Sequence, residues 1–250
     1  CLHDTPGYDS FKSERQMIKA FLAYVSHLSP DFLTGYNINR FDNTYLETRC
    51  KIHNIHFRWS RMKGYVSTIK HITTRSNQKG TQEQYQLDLP GIVVMDGYEV
   101  MRGQHNLSRY SLESVCQQFL GTGKDDMPYD QIPIKFQSPE GRKQLADYCV
   151  KDCKLVVDLF DKLKKIINLL QMGQVTGCFA ADVLNRGQGI RTVTLMQYYC
   201  KGKIHIPRTD KTAKEFKGAV VLPPKKGMYR DAVICVDFAS LYPSIMRALN

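Results

Sequence analysis

The residues best suited to chemistry lie near the C-terminal end of the sequence, where Asp237 follows the apolar stretch 232–236. That stretch predicts a buried strand, which would deliver the Asp237 carboxylate at its end. A tight turn follows, and Pro243 suits the first turn of a helix. Backbone N–H groups at a helix start bind phosphates, so the pattern predicts a site for a triphosphate with Mg²⁺. The alternative is an ordinary strand–turn–helix in which the acid is only a cap.

A second set of polar residues lies earlier in the chain. Asp42 follows the expected strand 32–36 at a helix start, and Tyr148 and Asp152 are four apart on an expected helix. Residues four apart share one helix face. A phenol beside a metal-bound carboxylate can orient an attacking water, and two Mg²⁺ ions support in-line attack on a phosphodiester. Taken separately, the first acid could be only a helix cap and the Tyr/Asp pair only a surface contact.

Residues 237–245 read Asp-Phe-Ala-Ser-Leu-Tyr-Pro-Ser-Ile and resemble motif A of family B DNA polymerases, Asp-x-x-Ser-Leu-Tyr-Pro-Ser-Ile. The resemblance assigns Asp237 to both catalytic metal ions, helped by the backbone carbonyl of Phe238. It places Tyr242 under the incoming sugar, where a 2′-hydroxyl would clash. The backbone that binds the triphosphate is then that of Ser240 and Leu241.

The earlier residues resemble the second and third motifs of the 3′–5′ exonuclease domain of the same family. Asn37, Phe41 and Asp42 match Asn-x-x-x-Phe-Asp, and Tyr148 and Asp152 match Tyr-x-x-x-Asp. The resemblance implies that Asp42 and Asp152 bind metal and that Tyr148 positions water. It also implies that Asn37 and Phe41 hold a frayed primer end, Phe41 by stacking on a base.

Two connecting segments also resemble this family. Residues 186–188, Arg-Gly-Gln, are similar to a segment between the exonuclease and the palm. Residues 216–219, Phe-Lys-Gly-Ala, look like a Tyr-x-Gly-Gly/Ala motif near the template, with Phe in place of Tyr. The resemblance therefore implies four DNA-binding residues: Arg186, Phe216, Lys217 and Gly218.

Composition is typical of a soluble globular protein and favours a polyanionic partner. The net charge is +11, and nine Lys and Arg residues fall within 201–230, which predicts a phosphate-tracking surface. The sequence has no run of 18 apolar residues, so we expect no membrane span. The eight cysteines are scattered without a Cys-x-x-Cys, which predicts reduced thiols in an intracellular protein.

The resemblance implies an α/β fold. An RNase H-like 3′–5′ exonuclease domain would occupy residues 1–170, with its N-terminal part missing. A helical and basic connector would follow at 171–215, and the first strand–turn–helix of a polymerase palm at 216–250. Helical periodicity predicts helices over 13–29, 41–53, 112–120, 138–170 and 180–199. We expect strands and loops over 57–104 and a loop over 121–137.

The implied function is that of a replicative DNA-directed DNA polymerase with 3′–5′ proofreading. Its cofactors would be two Mg²⁺ or Mn²⁺ ions per active site, and its partners primer–template DNA, dNTPs and a candidate processivity factor. Ala239 looks like the versions in large DNA viruses, including herpesvirus-like ones, which suggests a viral origin. The implied compartment is the nucleus, or a host nucleus if the protein is viral. One alternative is an inactivated paralogue that acts as a DNA-binding or scaffold subunit. A stand-alone exonuclease would have no use for motif A.

Two expected carboxylate motifs are absent from the sequence. It contains neither Asp-x-Glu, the first exonuclease motif, nor Asp-Thr-Asp, the second polymerase motif. One carboxylate cannot hold the two metals that phosphoryl transfer requires. The sequence also begins at Cys1 without a Met. We therefore expect an internal piece of a longer protein that is inactive by itself in both reactions.

Overall fold

The computed structural model describes residues 5–76, 80–123, 127–205 and 220–249. The chain divides into two compact units, Cys1–Ile206 and Pro207–Asn250. The strands are β1 Phe32–Gly35, β2 Thr68–Ser76, β3 Gly80–Asp88 and β4 Val93–Asp96. The helices are α1 Glu14–Leu28, α2 Asp42–Ile52, α3 Gly97–Gln104, α4 Leu112–Leu120, α5 Gln131–Phe136, α6 Pro139–Lys162, α7 Lys165–Thr176, α8 Ala180–Asn185, α9 Gln188–Cys200 and α10 Leu241–Leu249. The predicted α/β class is confirmed.

Side-chain caps set the predicted helix starts. The Ser13 hydroxyl accepts a hydrogen bond from the Gln16 N–H at 3.3 Å and starts α1. Ser111 and Ser138 cap α4 and α6 in the same way. Such caps satisfy N–H groups that have no partner within the helix. None of the helices in the described ranges is long and apolar enough to cross a membrane.

A short parallel strand pair organises the first unit. β1 pairs with β4 so that Gly35 lies opposite Asp96, and both strands therefore end at the same edge. The Thr34 hydroxyl donates to the Met95 carbonyl at 2.8 Å, so a side-chain hydrogen bond also joins the two strands. β2 and β3 form a separate antiparallel hairpin.

Three apolar clusters form the core of the first unit. The first joins α1 and α2 to the end of β3, and Trp59 is buried in it. The second joins β4 and α3 to α6, α7 and α8, and the third joins α3 and α4 to α6. Because α6 belongs to two clusters, its position beside the strand pair is fixed by packing. The α6 residues in these clusters are Val156, Leu159 and Phe160.

The predicted long helix over 138–170 is in fact two helices. Lys164 has a left-handed backbone with φ of 50° and separates α6 from α7. Lys165 is buried, and its Nζ lies 2.6 Å from Gln104 Oε1 and 2.9 Å from His105 Nε2. These contacts fix the start of α7 against the end of α3. The apolar residues spaced along 138–170 predict one buried helix face, and that prediction is wrong at three positions that are exposed: Cys149, Ile167 and Leu170.

Three other local predictions also differ from the structure. Residues 97–104 form α3 instead of strand or loop, because the Asp96 side chain caps that helix by accepting from the Tyr98 N–H. The predicted loop 121–137 contains α5. The predicted helix 180–199 is broken at Arg186, whose backbone is extended between α8 and α9.

The second unit lacks the strand predicted for residues 232–236. These residues are extended without strand pairing, and Val233, Ile234 and Val236 are 75–86% exposed. A strand needs a neighbour to accept and donate its backbone hydrogen bonds. Within 220–249 the only regular element is α10, so no such neighbour is present among the described residues of this unit.

An ion-pair cluster joins α1 to α2 within the first unit. The Glu14 carboxylate accepts from Arg49 Nε at 2.6 Å and from Arg49 Nη2, and it lies 3.0 Å from His53 Nε2. Hydrogen bonds from Arg49, and then from His53, lower the pKa of Glu14 from 4.5 to about 2. The cluster therefore stabilises the folded state only while Glu14 is ionised.

We expect Glu14→Gln to lower the melting temperature of the chain at pH 7. Because the folded-state pKa lies below the unfolded value, the stabilisation is complete above about pH 4.5 and is lost as pH falls through about 2. Thermal unfolding at pH values between 2 and 7 measures the difference. Glu140→Gln, which removes an exposed acid from the first turn of α6, controls for lost charge at a helix start. Equal melting temperatures for the Glu14 variant and the original chain at every pH would contradict the assignment.

Candidate functional site

A cleft of about 1070 Å³ opens beside the end of β1 in the first unit. We call it the Asp42 cleft, because Asp42 and the residues near it in sequence form much of its wall. The structure brings four of the predicted site residues to this cleft: Asn37, Phe41, Asp42 and Asp152. Asp42 and Asp152 come from α2 and α6, more than 100 residues apart in sequence, so the fold brings one acid of each predicted motif to the same cleft.

The electrostatics of the Asp42 cleft reflect two neighbouring acids. Asp42 is the first residue of α2, and burial raises the pKa of its carboxyl group. Burial also raises the pKa of the Cys153 thiol, and the negative charges of Asp152 and Asp42 raise it further. Both carboxylates therefore lie close enough to act on the same group.

The donor atoms of this cleft fit part of a metal site. Carboxylate oxygens are the ligands that Mg²⁺ and Mn²⁺ prefer. A cation would also compensate the negative charges of Asp42 and Asp152, which both line the cleft. In the described ranges, however, no group of three or more His, Cys, Asp or Glu residues is arranged to hold a metal ion. Asp42 and Asp152 would thus supply at most two ligands, and a complete metal site needs more.

Aromatic side chains line the rest of the Asp42 cleft. The Tyr98 ring contacts those of Tyr36 and Tyr110 edge-to-face, with ring centroids 6.1 and 6.4 Å apart. The Tyr36 hydroxyl donates to the Tyr110 carbonyl at 2.5 Å. Phe41 and Tyr129 project from the wall with 69% and 90% exposure. Exposed aromatic rings of this kind can stack on nucleobases.

Sequence reasoning missed two exposed residues of the cleft, Tyr129 and Arg109. Arg109 precedes α4 and provides a guanidinium that can pair with phosphate. Both residues lie in connecting segments without a periodic pattern. Only the folded chain brings them to the same cleft as Asp42.

The loop between β1 and α2, residues 36–41, is held by Asp96, which sequence reasoning also missed. Asp96 is 4% exposed, and its carboxylate accepts from the backbone N–H groups of Asn37 at 2.7 Å, Asn39 at 3.0 Å and Tyr98 at 3.0 Å. Burial raises the pKa of Asp96, these three bonds oppose that shift, and the charge of Asp42 adds to it. One sequence signal was available, since Asp96 follows an apolar run at 92–95 as Asp237 follows one at 232–236.

Other predicted site residues lie outside the cleft. Tyr148 is half-buried one turn before Asp152 on α6, and the described residues that line the cleft do not include it. Arg186 follows α8 and lies 3.5 Å from the Asp182 carboxylate. Phe216, Lys217 and Gly218 lie outside the described residues.

The second unit carries the other predicted site. Asp237 is exposed, and its Oδ1 accepts from the Phe238 N–H at 2.9 Å. Ser240 has a left-handed backbone with φ of 52° and turns the chain into α10, where the Ser244 N–H donates to the Ser240 carbonyl at 2.9 Å. Leu241 begins that helix. The carboxylate therefore lies four residues before a helix N-terminus, as predicted, although the strand expected before it is absent.

Two family profiles match the chain. "DNA polymerase family B, exonuclease domain" matches residues 5–115, and "DNA polymerase family B" matches residues 179–250. Similar proteins include the DNA polymerase delta catalytic subunits of Plasmodium falciparum, Schizosaccharomyces pombe and Drosophila melanogaster, each 37% identical over 244–249 residues. These alignments cover 95–96% of this chain but only 22–23% of each relative. The chain thus spans less than a quarter of the length of these curated relatives.

The profiles confirm the predicted order of an RNase H-like exonuclease domain followed by the start of a polymerase domain. Asn37, Phe41 and Asp42 fall in the first match, and residues 237–245 fall in the second. The relatives named here are eukaryotic. The comparisons therefore give no support to the viral origin suggested by Ala239.

We expect the chain to bind Mn²⁺ at the Asp42 cleft, and Asp42→Asn or Asp152→Asn to weaken that binding at least about 10-fold. Each substitution removes a charged oxygen donor without changing side-chain size. Isothermal titration with Mn²⁺ measures the effect. Asp158→Asn, an exposed acid on the same helix α6, is the matched control and should not change the affinity. If all three variants bind Mn²⁺ like the original chain, the cleft is not a metal site.

Proposed function

The chain belongs to DNA polymerase family B, and we propose that it is part of a delta-type replicative DNA polymerase with 3′–5′ proofreading. The observation that supports the exonuclease most strongly is the convergence of Asp42, Asp152, Asn37 and Phe41 on one cleft. The polymerase activity is supported by residues 237–245, which lie within the matched polymerase profile. We propose functional boundaries at residues 170 and 215, with the connector between them.

In the proposed exonuclease reaction, the Asp42 cleft takes the single-stranded 3′ end of the primer. Phe41 and Tyr129 are exposed enough to stack on the terminal bases. Arg109 pairs with a backbone phosphate, and Asn37 holds the terminal nucleotide. These contacts favour an unpaired end over a duplex, because only an unpaired base exposes its faces for stacking.

The hydrolytic step needs a water held in line with the scissile bond. Asp42 and Asp152 would hold Mg²⁺ or Mn²⁺, which when bound supplies Lewis-acid stabilisation and a more acidic water. We propose that Tyr148, one turn before Asp152, orients that water. Water attacks the terminal phosphorus, the bond to the preceding 3′ oxygen breaks, and a nucleoside monophosphate leaves.

In the proposed polymerase site, Asp237 and the Phe238 carbonyl would hold the catalytic metals. The N–H groups at the start of α10, around Ser240 and Leu241, face the triphosphate, because first-turn N–H groups have no partner within a helix. Tyr242 would exclude a 2′-hydroxyl by steric clash. The primer 3′-hydroxyl attacks the α-phosphate of the dNTP, and pyrophosphate leaves.

The proposed partners follow from these reactions. They are primer–template DNA, dNTPs and a processivity factor, with Arg186, Phe216, Lys217 and Gly218 as further DNA contacts. The positive charge of the chain suits a polyanionic ligand. We propose the nucleus as the compartment, because the relatives are eukaryotic DNA polymerases.

In the complete polymerase, we expect Asp237→Asn to lower DNA synthesis at least about 10³-fold, about 4 kcal/mol of barrier. Exonuclease activity should survive, because Asp237 and the Asp42 cleft belong to different reactions. Asp42→Ala should do the reverse. Primer extension and hydrolysis of single-stranded DNA, measured on each variant, separate the two activities. Loss of both activities in either variant would contradict the assignment, and a complete enzyme inactive in both would favour the scaffold alternative.

We expect the 250-residue chain alone to show neither activity. The described part of the chain gathers only two acids at the Asp42 cleft, and the Asp-Thr-Asp motif is absent from the sequence. Primer extension and exonuclease assays with Mg²⁺ and with Mn²⁺ test this, with Asp42→Ala and Asp237→Asn as blanks for contaminating enzymes. Turnover that these substitutions abolish would show that the chain contains a complete site.

A further inference from the structure

We propose that Asp96 is a positioning residue for exonucleolytic hydrolysis, because its buried carboxylate holds the β1–α2 loop (residues 36–41) that leads into Asp42. The inference rests on the proposed exonuclease function of the Asp42 cleft. It concerns a residue in none of the sequence motifs discussed above. Asp96 acts through the backbone of its neighbours and does not touch the substrate.

The contacts of Asp96 occupy both carboxylate oxygens. Oδ1 accepts from the N–H groups of Asn37 at 2.7 Å and Tyr98 at 3.0 Å. Oδ2 accepts from the N–H of Asn39 at 3.0 Å. Asp96 is only 4% exposed, so water is a poor substitute for these donors. A carboxylate engaged in this way orients backbone and is poorly placed to bind a metal ion.

Hydrogen bonds link the loop that Asp96 holds to the first turn of α2. The Asn37 carbonyl accepts from the Phe41 N–H at 3.1 Å, and the Ile38 carbonyl accepts from the Asn43 N–H at 2.8 Å. The Asn39 side chain accepts from Asn43 Nδ2 at 3.2 Å. Asp42 lies between two of these bonded residues. A shift of the loop at Asn37 or Asn39 would therefore move the Asp42 carboxylate and the Phe41 ring together.

The backbone at this point needs such a restraint. Asn37 has φ of 62°, a left-handed conformation that is uncommon for residues other than Gly. Around it the chain is closely packed, since a Cβ added to Gly97 would lie 3.0 Å from the Tyr36 ring and 3.1 Å from the Gly35 carbonyl oxygen. Asp96 therefore lies against the end of β1, and in this conformation the Asn37 N–H donates to its carboxylate.

The test uses the complete polymerase that contains this chain. Asp96→Asn keeps one acceptor oxygen and the side-chain size, whereas Asp96→Ala removes the acceptor for all three N–H groups. Thr34→Val is the matched control: it removes the hydrogen bond to the Met95 carbonyl, which ties the same two strands, and leaves the loop contacts intact. Asp42→Ala tests the exonuclease assignment itself. We measure kcat and KM for hydrolysis of single-stranded DNA, DNA synthesis, and amide hydrogen exchange over residues 37–42.

We expect kcat for hydrolysis to fall about 10-fold in Asp96→Asn and about 100-fold in Asp96→Ala, the scale expected when a catalytic group is misplaced by about 1 Å. DNA synthesis should be retained in both variants, which shows that the protein is folded, and amide exchange over 37–42 should accelerate. Thr34→Val should keep its kcat. A residue that only stabilises the fold would lower the melting temperature without changing kcat per folded molecule.

Three results would overturn the proposal: unchanged kcat in Asp96→Ala, an equal loss in Thr34→Val, or unchanged exchange at 37–42 in both Asp96 variants. A wrong exonuclease assignment would give a different result, because the Asp42→Ala variant would then hydrolyse DNA at the original rate. If Asp96→Ala does not fold, the Asp96→Asn variant and its exchange rates still decide the question.

Discussion

The buried carboxylate of Asp96 is the interaction on which the first unit's site depends. Burying a charge is costly unless it is hydrogen-bonded. Here three backbone N–H groups donate hydrogen bonds to the Asp96 carboxylate. Hydrogen bonds to charged groups contribute about 1.5–3 kcal/mol each. These bonds join the end of β4, the start of α3 and the loop before α2. Without Asp96, three partly buried N–H donors would lose their partner at once.

Packing in the rest of the first unit positions the second acid of the cleft, Asp152. Asp152 lies on α6, and the C-terminal half of this helix packs into two apolar clusters through Val156, Leu159 and Phe160. Asp42 is positioned by polar contacts, and Asp152 by apolar packing one turn away. The two acids are thus held by different contacts on different helices, on either side of a cleft of about 1070 Å³. An open cleft with fixed acids is what a flexible single strand requires.

Comparison of Asp96 with Asp237 shows what sequence can and cannot predict. Each follows an apolar run, and the same reasoning predicts a strand before both. The run before Asp96 pairs with β1, whereas the run before Asp237 is exposed and unpaired in the described residues. The local sequence indicates a tendency to form a strand, but whether the strand forms depends on a neighbouring strand that can pair with it. Helix starts at Ser13 and Ser111 were predictable because each cap acts within three residues.

Features that depend on distant residues were not predictable in this way. The break between α6 and α7 rests on contacts of Lys165 with Gln104 and His105, about 60 residues earlier. The donors to Asp96 from the loop are 57 and 59 residues away. The pairing of Asp42 with Asp152 came from the resemblance to a family and not from periodicity. Arg109 and Tyr129 lie in connecting segments whose sequence has no periodic pattern, so nothing in the sequence pointed to them.

The proposed exonuclease requires that the Asp42 cleft hold the 3′ end of DNA for hydrolysis. The most direct measurement is a structure of the complete polymerase with a single-stranded 3′ overhang and Ca²⁺, which occupies carboxylate sites but is a poor substitute for Mg²⁺ geometry. We expect the terminal phosphodiester between Asp42 and Asp152, with Phe41 stacked on a base. A 3′ end bound elsewhere, with the cleft free of DNA and metal, would contradict it.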